Sequence, residues 1–309
     1  MLSRVAENIY WLARYIERAE DTARLISVST HLLLDFPATD RLDWDSLIDI
    51  FGNKALFEEL YGQNDQSSVL SFLCGDRRHG SSILSSLAMA RENLRMSRDV
   101  MPREAWEEVN QLYLDMARQY ELGITPRNRD RFLKRVIRSC QTVTGLIDGS
   151  LSHTQVRRFL LLGSRLERSD MTTRIIDVRS ANLLPHAGDD LQPFESLQWM
   201  SLLKSVTGYQ MYRQQVRLRV RGPDVLRFLL QDTAFPRSVA CSLQDFLQVL
   251  KQLPEHEQVQ AVAEDLARQL TTAQIESLAR NPEQLNRFVD QLQVGSSRIH
   301  DALASRYFS

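Results

Sequence analysis

Laid on itself at an offset of 150 residues, the chain meets its own pattern, and this self-match narrows the fold more than any other feature. LARYIERAEDTARLI (12–26) falls on LGSRLERSDMTTRII (162–176). Leu12, Glu17, Arg18, Thr22, Arg24 and Ile26 meet Leu162, Glu167, Arg168, Thr172, Arg174 and Ile176. Val28, Leu33 and Leu34 continue onto Val178, Leu183 and Leu184, and Trp44-Asp45-Ser46-Leu47 onto Phe194-Glu195-Ser196-Leu197. At an offset of 156, VLSFLCGD (69–76) falls on VLRFLLQD (225–232), Ser82, Ser86 and Leu87 on Ser238, Ser242 and Leu243, and Arg131-Phe132 on Arg287-Phe288. One insertion of six residues reconciles the two offsets. Helical bias common to both halves accounts for any single segment but not for the ordered series. The sequence therefore reads as a duplication, with one copy over 1–150 and the other over 151–309, packed as one compact unit. Such a period is too long for a solenoid of small repeats. Two related helical bundles about a pseudo-twofold axis are expected.

The repeated unit is helical. Leu2, Val5, Ile9, Leu12, Ile16, Ala19, Ala23, Ile26 and Leu33 follow steps of three and four, with Thr30 in the one gap, which is the seam of an amphipathic helix. Pro37 is expected to end it. Shorter helices are expected around 42–61 and 67–75. Ser81 or Ser82 caps a helix to about Val100, Pro102 opens another to about Leu122, and a third runs from Asn128 to Ile147. Gly149 and Ser150 mark the midpoint, and a second long helix covers 153–184. Only 12 Gly and 9 Pro interrupt 309 residues, and this scarcity favours an all-α chain without sheet.

Charge and chemistry exclude several classes. With 38 basic and 39 acidic side chains the net charge is -1, which leaves no basic surplus for general nucleic-acid binding. No run approaches the roughly 20 apolar residues of a membrane helix, and the charged start is not that of a signal peptide. Cys74, Cys140 and Cys241 are far apart and odd in number, so free thiols in a reducing cytoplasm are expected. His31, His79, His153, His186, His256 and His300 lack metal-ligand spacing, and no Gly-x-Ser-x-Gly elbow or Gly-x-Gly-x-x-Gly loop occurs. No cofactor and no metal is expected. Trp11, Trp44, Trp106 and Trp199 are read as core or interface anchors.

Three polar groups remain as candidates. Glu17, Glu20 and Arg24 lie at i, i+3 and i+7, one line beside the apolar seam, and Glu167, Asp170 and Arg174 repeat it. Ala13 and Gly163, one turn earlier, are small enough for a close partner helix. The lines have two readings: paired braces between the halves, since buried charge requires a partner, or acids that hold a cation or a substrate ammonium. A di-iron site wants Glu-x-x-His pairs, which neither copy has. The second group is AMARENLRMSRDVM (88–101), with Arg91, Arg95 and Arg98 on one helical face and Glu92, Asn93 and Asp99 beside them. Its counterpart LQVLKQ (247–252) lacks the pattern. It is either a solvated face with internal salt bridges or a surface for carboxylate or phosphate, which arginine forks suit. The third, GDRRHGSS (75–82), is a basic loop before a helix start, where an anion could bind, though it lacks the ending of a Walker motif.

MLSRVAENIYWLARYIERAEDTARL, ARENLRMSRDVMPREAWEEVNQLY and FLLLGSRLERSDMTTRIIDV resemble the alpha-E family of bacterial helical proteins, as does VLRFLLQDTAFPRSV downstream. The family's Glu-Arg motif falls on Glu17-Arg18 and Glu167-Arg168. The resemblance spans essentially the whole chain. It implies a partner more than an activity: a circularly permuted ATP-grasp ligase, which joins carboxylates to amines through acyl phosphates, and often a transglutaminase-like protein. The leading expectation is therefore a cytoplasmic helical subunit that forms or presents the substrate site of a peptide or amide ligase. The rival is an enzyme in its own right, with Glu17, Glu167 and the Arg91–Asp99 helix lining a pocket. A purely structural homo-oligomer is the third.

Overall fold

The structure, a computed structural model, describes residues 2–35, 44–183, 192–216 and 219–309. Among these residues the regular structure is helical throughout, with no strand. The expected stop at Pro37, the matched Leu184 and His186 lie outside the described residues. Residues 1–164 form one compact unit and 165–309 another.

In the first unit α1 (Ser3–Asp35) is followed by α2 (Asp45–Phe51), α3 (Lys54–Tyr61), α4 (Gln66–Cys74), α5 (Ile83–Met96), α6 (Arg103–Gly123) and α7 (Arg129–Ser150). The seam of α1 is buried: Ile9, Leu12, Ala19, Ala23 and Ile26 are fully enclosed. It lies along α5 and α7, whose Leu87, Ala90, Leu94, Val136, Cys140 and Val143 are equally enclosed, and α6 closes the layer against α5 and α7. Each of the Ile, Leu and Val side chains among these contributes about 1.5–3 kcal/mol by leaving water, so the α1–α5–α7 seam holds the unit together.

Local chemistry sets where the elements begin and end. Of the two serines before α5, Ser82 is the cap: its hydroxyl accepts from the Ser85 amide at 3.1 Å. Asp65 does the same for α4, accepting from the Ser67 and Ser68 amides at 2.7 and 3.1 Å. The helix expected to reach Val100 stops at Met96 and gives way to a 3-10 turn over Arg98–Val100. Pro102 caps α6 as expected. Gly52 divides the expected 42–61 segment into α2 and α3.

The long helix α8 (Gln155–Leu183) contains the boundary between the units. At its start Gly163 lies against α1, where an added Cβ would stand 2.2 Å from the Tyr10 carbonyl oxygen. The small residue read from the sequence thus admits the backbone of another helix. The second unit continues with α9 (Gln192–Ser205), α10 (Tyr209–Gln215), α11 (Gly222–Gln231), α12 (Val239–Leu250), α13 (Glu257–Thr272), α14 (Ile275–Arg280) and α15 (Pro282–Tyr307). There α13 lies along α15 and α12, and α11 along α12 and α14. Ser238 caps α12 by accepting from the Cys241 amide at 3.0 Å.

Candidate functional site

The acidic line of α1 is internal. Glu17 and Glu20 are each 5 % exposed, Asp21 3 % and Arg14 9 %. Arg24 donates to Glu20 through Nε at 2.9 Å and Nη2 at 2.5 Å, one turn along the same helix. Arg14 donates to the Tyr10 hydroxyl at 3.2 Å, with its guanidinium 4.7 Å from the Trp11 ring centre, and Arg18 lies over Tyr15. On α7, burial pushes the Cys140 thiol well above its ordinary range, and the negative charges of Glu20, Glu17 and Asp21 push it the same way. The acids therefore face the core side of α1, toward α7.

In the second unit the corresponding line is Glu167, fully buried, with Asp170 at 8 % and Arg168 and Arg174 half-buried. Arg174 donates Nε to Asp170 at 2.7 Å, one turn apart as in α1. Beside this line the Thr172 hydroxyl donates to the Arg237 carbonyl at 2.9 Å, and Arg165 pairs with Asp245 at 2.9 Å.

The arginine face expected on α5 does not converge. Arg95 closes a fork on Glu92, at 2.9 and 2.5 Å, on the open surface. Arg98 belongs to the 3-10 turn and is exposed, and Asn93 is half-buried. Arg91 turns the other way, to α6. Its Nε donates to Asn110 Oδ1 at 2.7 Å, and its guanidinium lies 5.6 Å from the Trp106 ring and 5.3 Å from the Tyr113 ring.

The loop read as GDRRHGSS borders a cleft of about 330 Å³ lined by Tyr61, Ser71, Gly75, Asp76, Arg77, Arg78, Leu84, Ala117 and Tyr120. Asp76 organises it. Its Oδ1 accepts from the Arg78 amide at 2.9 Å and Arg78 Nε at 3.0 Å, and its Oδ2 accepts from Arg78 Nη2 at 2.7 Å and the Tyr61 hydroxyl at 3.0 Å. The Arg78 fork brings the Asp76 carboxyl down to about 2. Burial, with the bond to Asp76, pushes the Tyr61 hydroxyl up to about 12. The Tyr120 ring covers Gly75 so closely that a Cβ there would stand 2.3 Å from it. Arg77 leaves the loop toward α6 and donates Nη2 to the Tyr113 hydroxyl at 3.1 Å. Sequence reading singled out this loop but not Tyr61, Tyr113 or Tyr120. The available signal was the spacing of Trp106, Asn110, Tyr113, Ala117 and Tyr120, which at i, i+4, i+7, i+11 and i+14 form one stripe of α6.

A second cleft, of about 440 Å³, lies in the other unit and is lined by Gln215, Val216, Asp224, Arg227, Phe228, Gln231, Asp232 and Thr233. Asp232, which follows α11 as Asp76 follows α4, accepts from the Ala234 and Phe235 amides at 2.8 and 2.6 Å.

The thiols and His79 are enclosed. All three cysteines are buried, and burial pushes Cys74 up to about 12 and raises Cys241, so each thiol is held as the weak nucleophile. His79 is fully buried between Phe72, stacked at 4.2 Å, and Phe51, and the Asn53 amide meets its Nδ1 at 3.0 Å. Burial brings its imidazole down to about 4. Among the described residues no three His, Cys, Asp or Glu side chains come together as metal ligands, and no helix is long and apolar enough to cross a membrane.

A family model described as a predicted alpha-helical domain with a conserved ER motif matches residues 1–308. No curated protein and no solved structure matches the chain.

Proposed function

The chain belongs to the Alpha-E family, and from that premise we propose that it is the helical partner subunit of an ATP-grasp peptide or amide ligase in the cytoplasm, forming or presenting that enzyme's substrate site. The observation that carries this reading is the disposition of charge in the first unit. The acids of α1 are internal, and the thiols and His79 are enclosed. Exposed Arg77 and half-buried Arg91 are instead held by phenol, amide and ring. Guanidinium without a neighbouring nucleophile recognises a charged group and leaves the bond-making to another protein.

The duplication belongs to the same proposal. It is supported by Glu20–Arg24 and Asp170–Arg174, by the caps Ser82 and Ser238, and by the loop aspartates Asp76 and Asp232, each pair at matched places in the sequence. In this reading the two copies share one plan of helices, and the acidic lines serve as braces.

The test is co-purification of the full chain with an ATP-grasp ligase encoded beside it, followed by ATP turnover measured with and without the chain. A stable complex with altered turnover is expected, and no hydrolysis by the chain alone. Robust turnover by the isolated chain, or indifference of the ligase to its presence, sinks the reading. A transglutaminase-like protein is the second partner to examine in the same way.

A further inference from the structure

In the first unit Arg24, Arg78, Arg95, Arg103, Arg135 and Arg157 each meet a carboxylate. Arg77 and Arg91 meet neutral groups instead. Arg77 donates to the Tyr113 phenol, while Arg91 donates to the Asn110 amide and lies over Trp106 and Tyr113. Their positions are fixed by hydrogen bonds to groups that carry no charge. Tyr113 joins them, its oxygen accepting from one arginine while its ring carries the other. With its lone pair engaged by Arg77, the Tyr113 O–H is left as a donor.

The acids nearby make their hydrogen bonds to other groups. Asp76 is taken by Arg78 and Tyr61, Glu92 by Arg95, and Asp115 by Arg135. Glu121 accepts from Tyr120 at 3.3 Å, at the other end of the α6 stripe, and repels an anion there. Two guanidiniums and a phenol O–H thus converge at the Tyr113 end, with an indole beside them. This is the donor set that a two-oxygen anion takes up, one oxygen to each fork.

We propose that Tyr113 on α6, with Arg77 at its hydroxyl and Arg91 over its ring, is the centre of an oxyanion-binding site in which the three together receive a carboxylate or a phosphate group. The site is a property of this chain alone and does not depend on the ligase reading. Trp106 flanks Arg91 on one side, and the Tyr61–Asp76–Arg78 cluster holds the loop that carries Arg77.

The full chain is titrated calorimetrically with triglutamate, as the carboxylate source, and with inorganic pyrophosphate, as the phosphate source. Saturable binding of one probe is expected, weakening as salt is raised because the contact is ionic. Arg77→Gln and Arg91→Gln should each weaken it by about tenfold or more, the scale of a lost charged hydrogen bond. Tyr113→Phe should weaken it less, and Arg103→Gln, on the exposed face of the same helix, should leave it unchanged. Arg77 is exposed, so its variant keeps the fold even if Arg91→Gln loosens the contact of α5 with α6, and thermal melting verifies this. The probe that binds identifies the source of the anion. If neither probe binds, or if binding survives both arginine variants undiminished, the two side chains are braces and the proposal falls.

Discussion

Single residues carry the electrostatics of this molecule. Glu20 and Arg24 satisfy each other inside the first unit, with side chains 6 % and 11 % exposed. Arg24→Met takes the charged partner from a buried carboxylate, for which a cost of up to about 3–5 kcal/mol and a fall in melting temperature are expected. The double variant Glu20→Met, Arg24→Met should recover much of it, because two apolar side chains replace two charges. A double-mutant cycle showing no coupling would remove the brace. His79 makes the pH prediction. Its folded value, about 4, lies below the ordinary 6.5, so between those limits the unfolded chain binds a proton that the folded chain refuses. Stability therefore rises with pH through that window and is lost as pH falls through it, by an amount on the order of 3 kcal/mol. Denaturant titrations from pH 7 to 4 should show the slope, and His79→Phe, which keeps a ring on Phe72, should flatten it. The acidic lines were legible in the sequence because charge beside an apolar seam requires a partner. The Asp76–Arg78 fork was not, because a two-residue hairpin of side chains inside a loop has no periodicity to announce it.

Elements are where the sequence was most readable and where its reading stopped. Alternating steps of three and four, a serine before an apolar run and Pro102 located α1, α5 and α6 closely. The same periodicity, run too far, placed Arg91, Arg95 and Arg98 on one face. The helix ends at Met96, so Arg98 leaves that face, and Arg91 is drawn away by Asn110 and two rings. Which face of α6 meets α5 is a tertiary fact, and the meeting of Arg77 and Arg91 at Tyr113 became visible only with it. Gly163 shows the opposite case, a sequence hint with a firm consequence. An added side chain meets the Tyr10 carbonyl, which is backbone and cannot swing aside. Gly163→Leu should therefore cost at least the 1–3 kcal/mol typical of overpacking and lower the melting temperature. A variant as stable as the parent would show that the two helices separate freely.

For the whole molecule, duplication makes paired predictions. Ser82→Ala and Ser238→Ala each remove a cap made to the amide three residues on. Each should cost about 1 kcal/mol, and similar losses by chemical denaturation are expected if the halves are copies. A cost at one serine alone would count against it. The composition adds a second check. With Arg24 and Arg174 seated on the acidic lines, elemental analysis of purified chain should find no stoichiometric zinc or iron. A metal on Glu17 or Glu167 would overturn the brace.

The packing of α1 also sets an order of events during synthesis. Its acids face Cys140, on a helix made 120 residues later. At about 5–20 residues per second, α1 leaves the ribosome between about 6 and 24 seconds before α7 exists to cover it. Within that interval α5, made between the two, can cover one side of the seam, and the side that α7 will cover stays in water. The side chains on the α7 side of the seam, beside those acids, are therefore ones a chaperone can hold until α7 arrives.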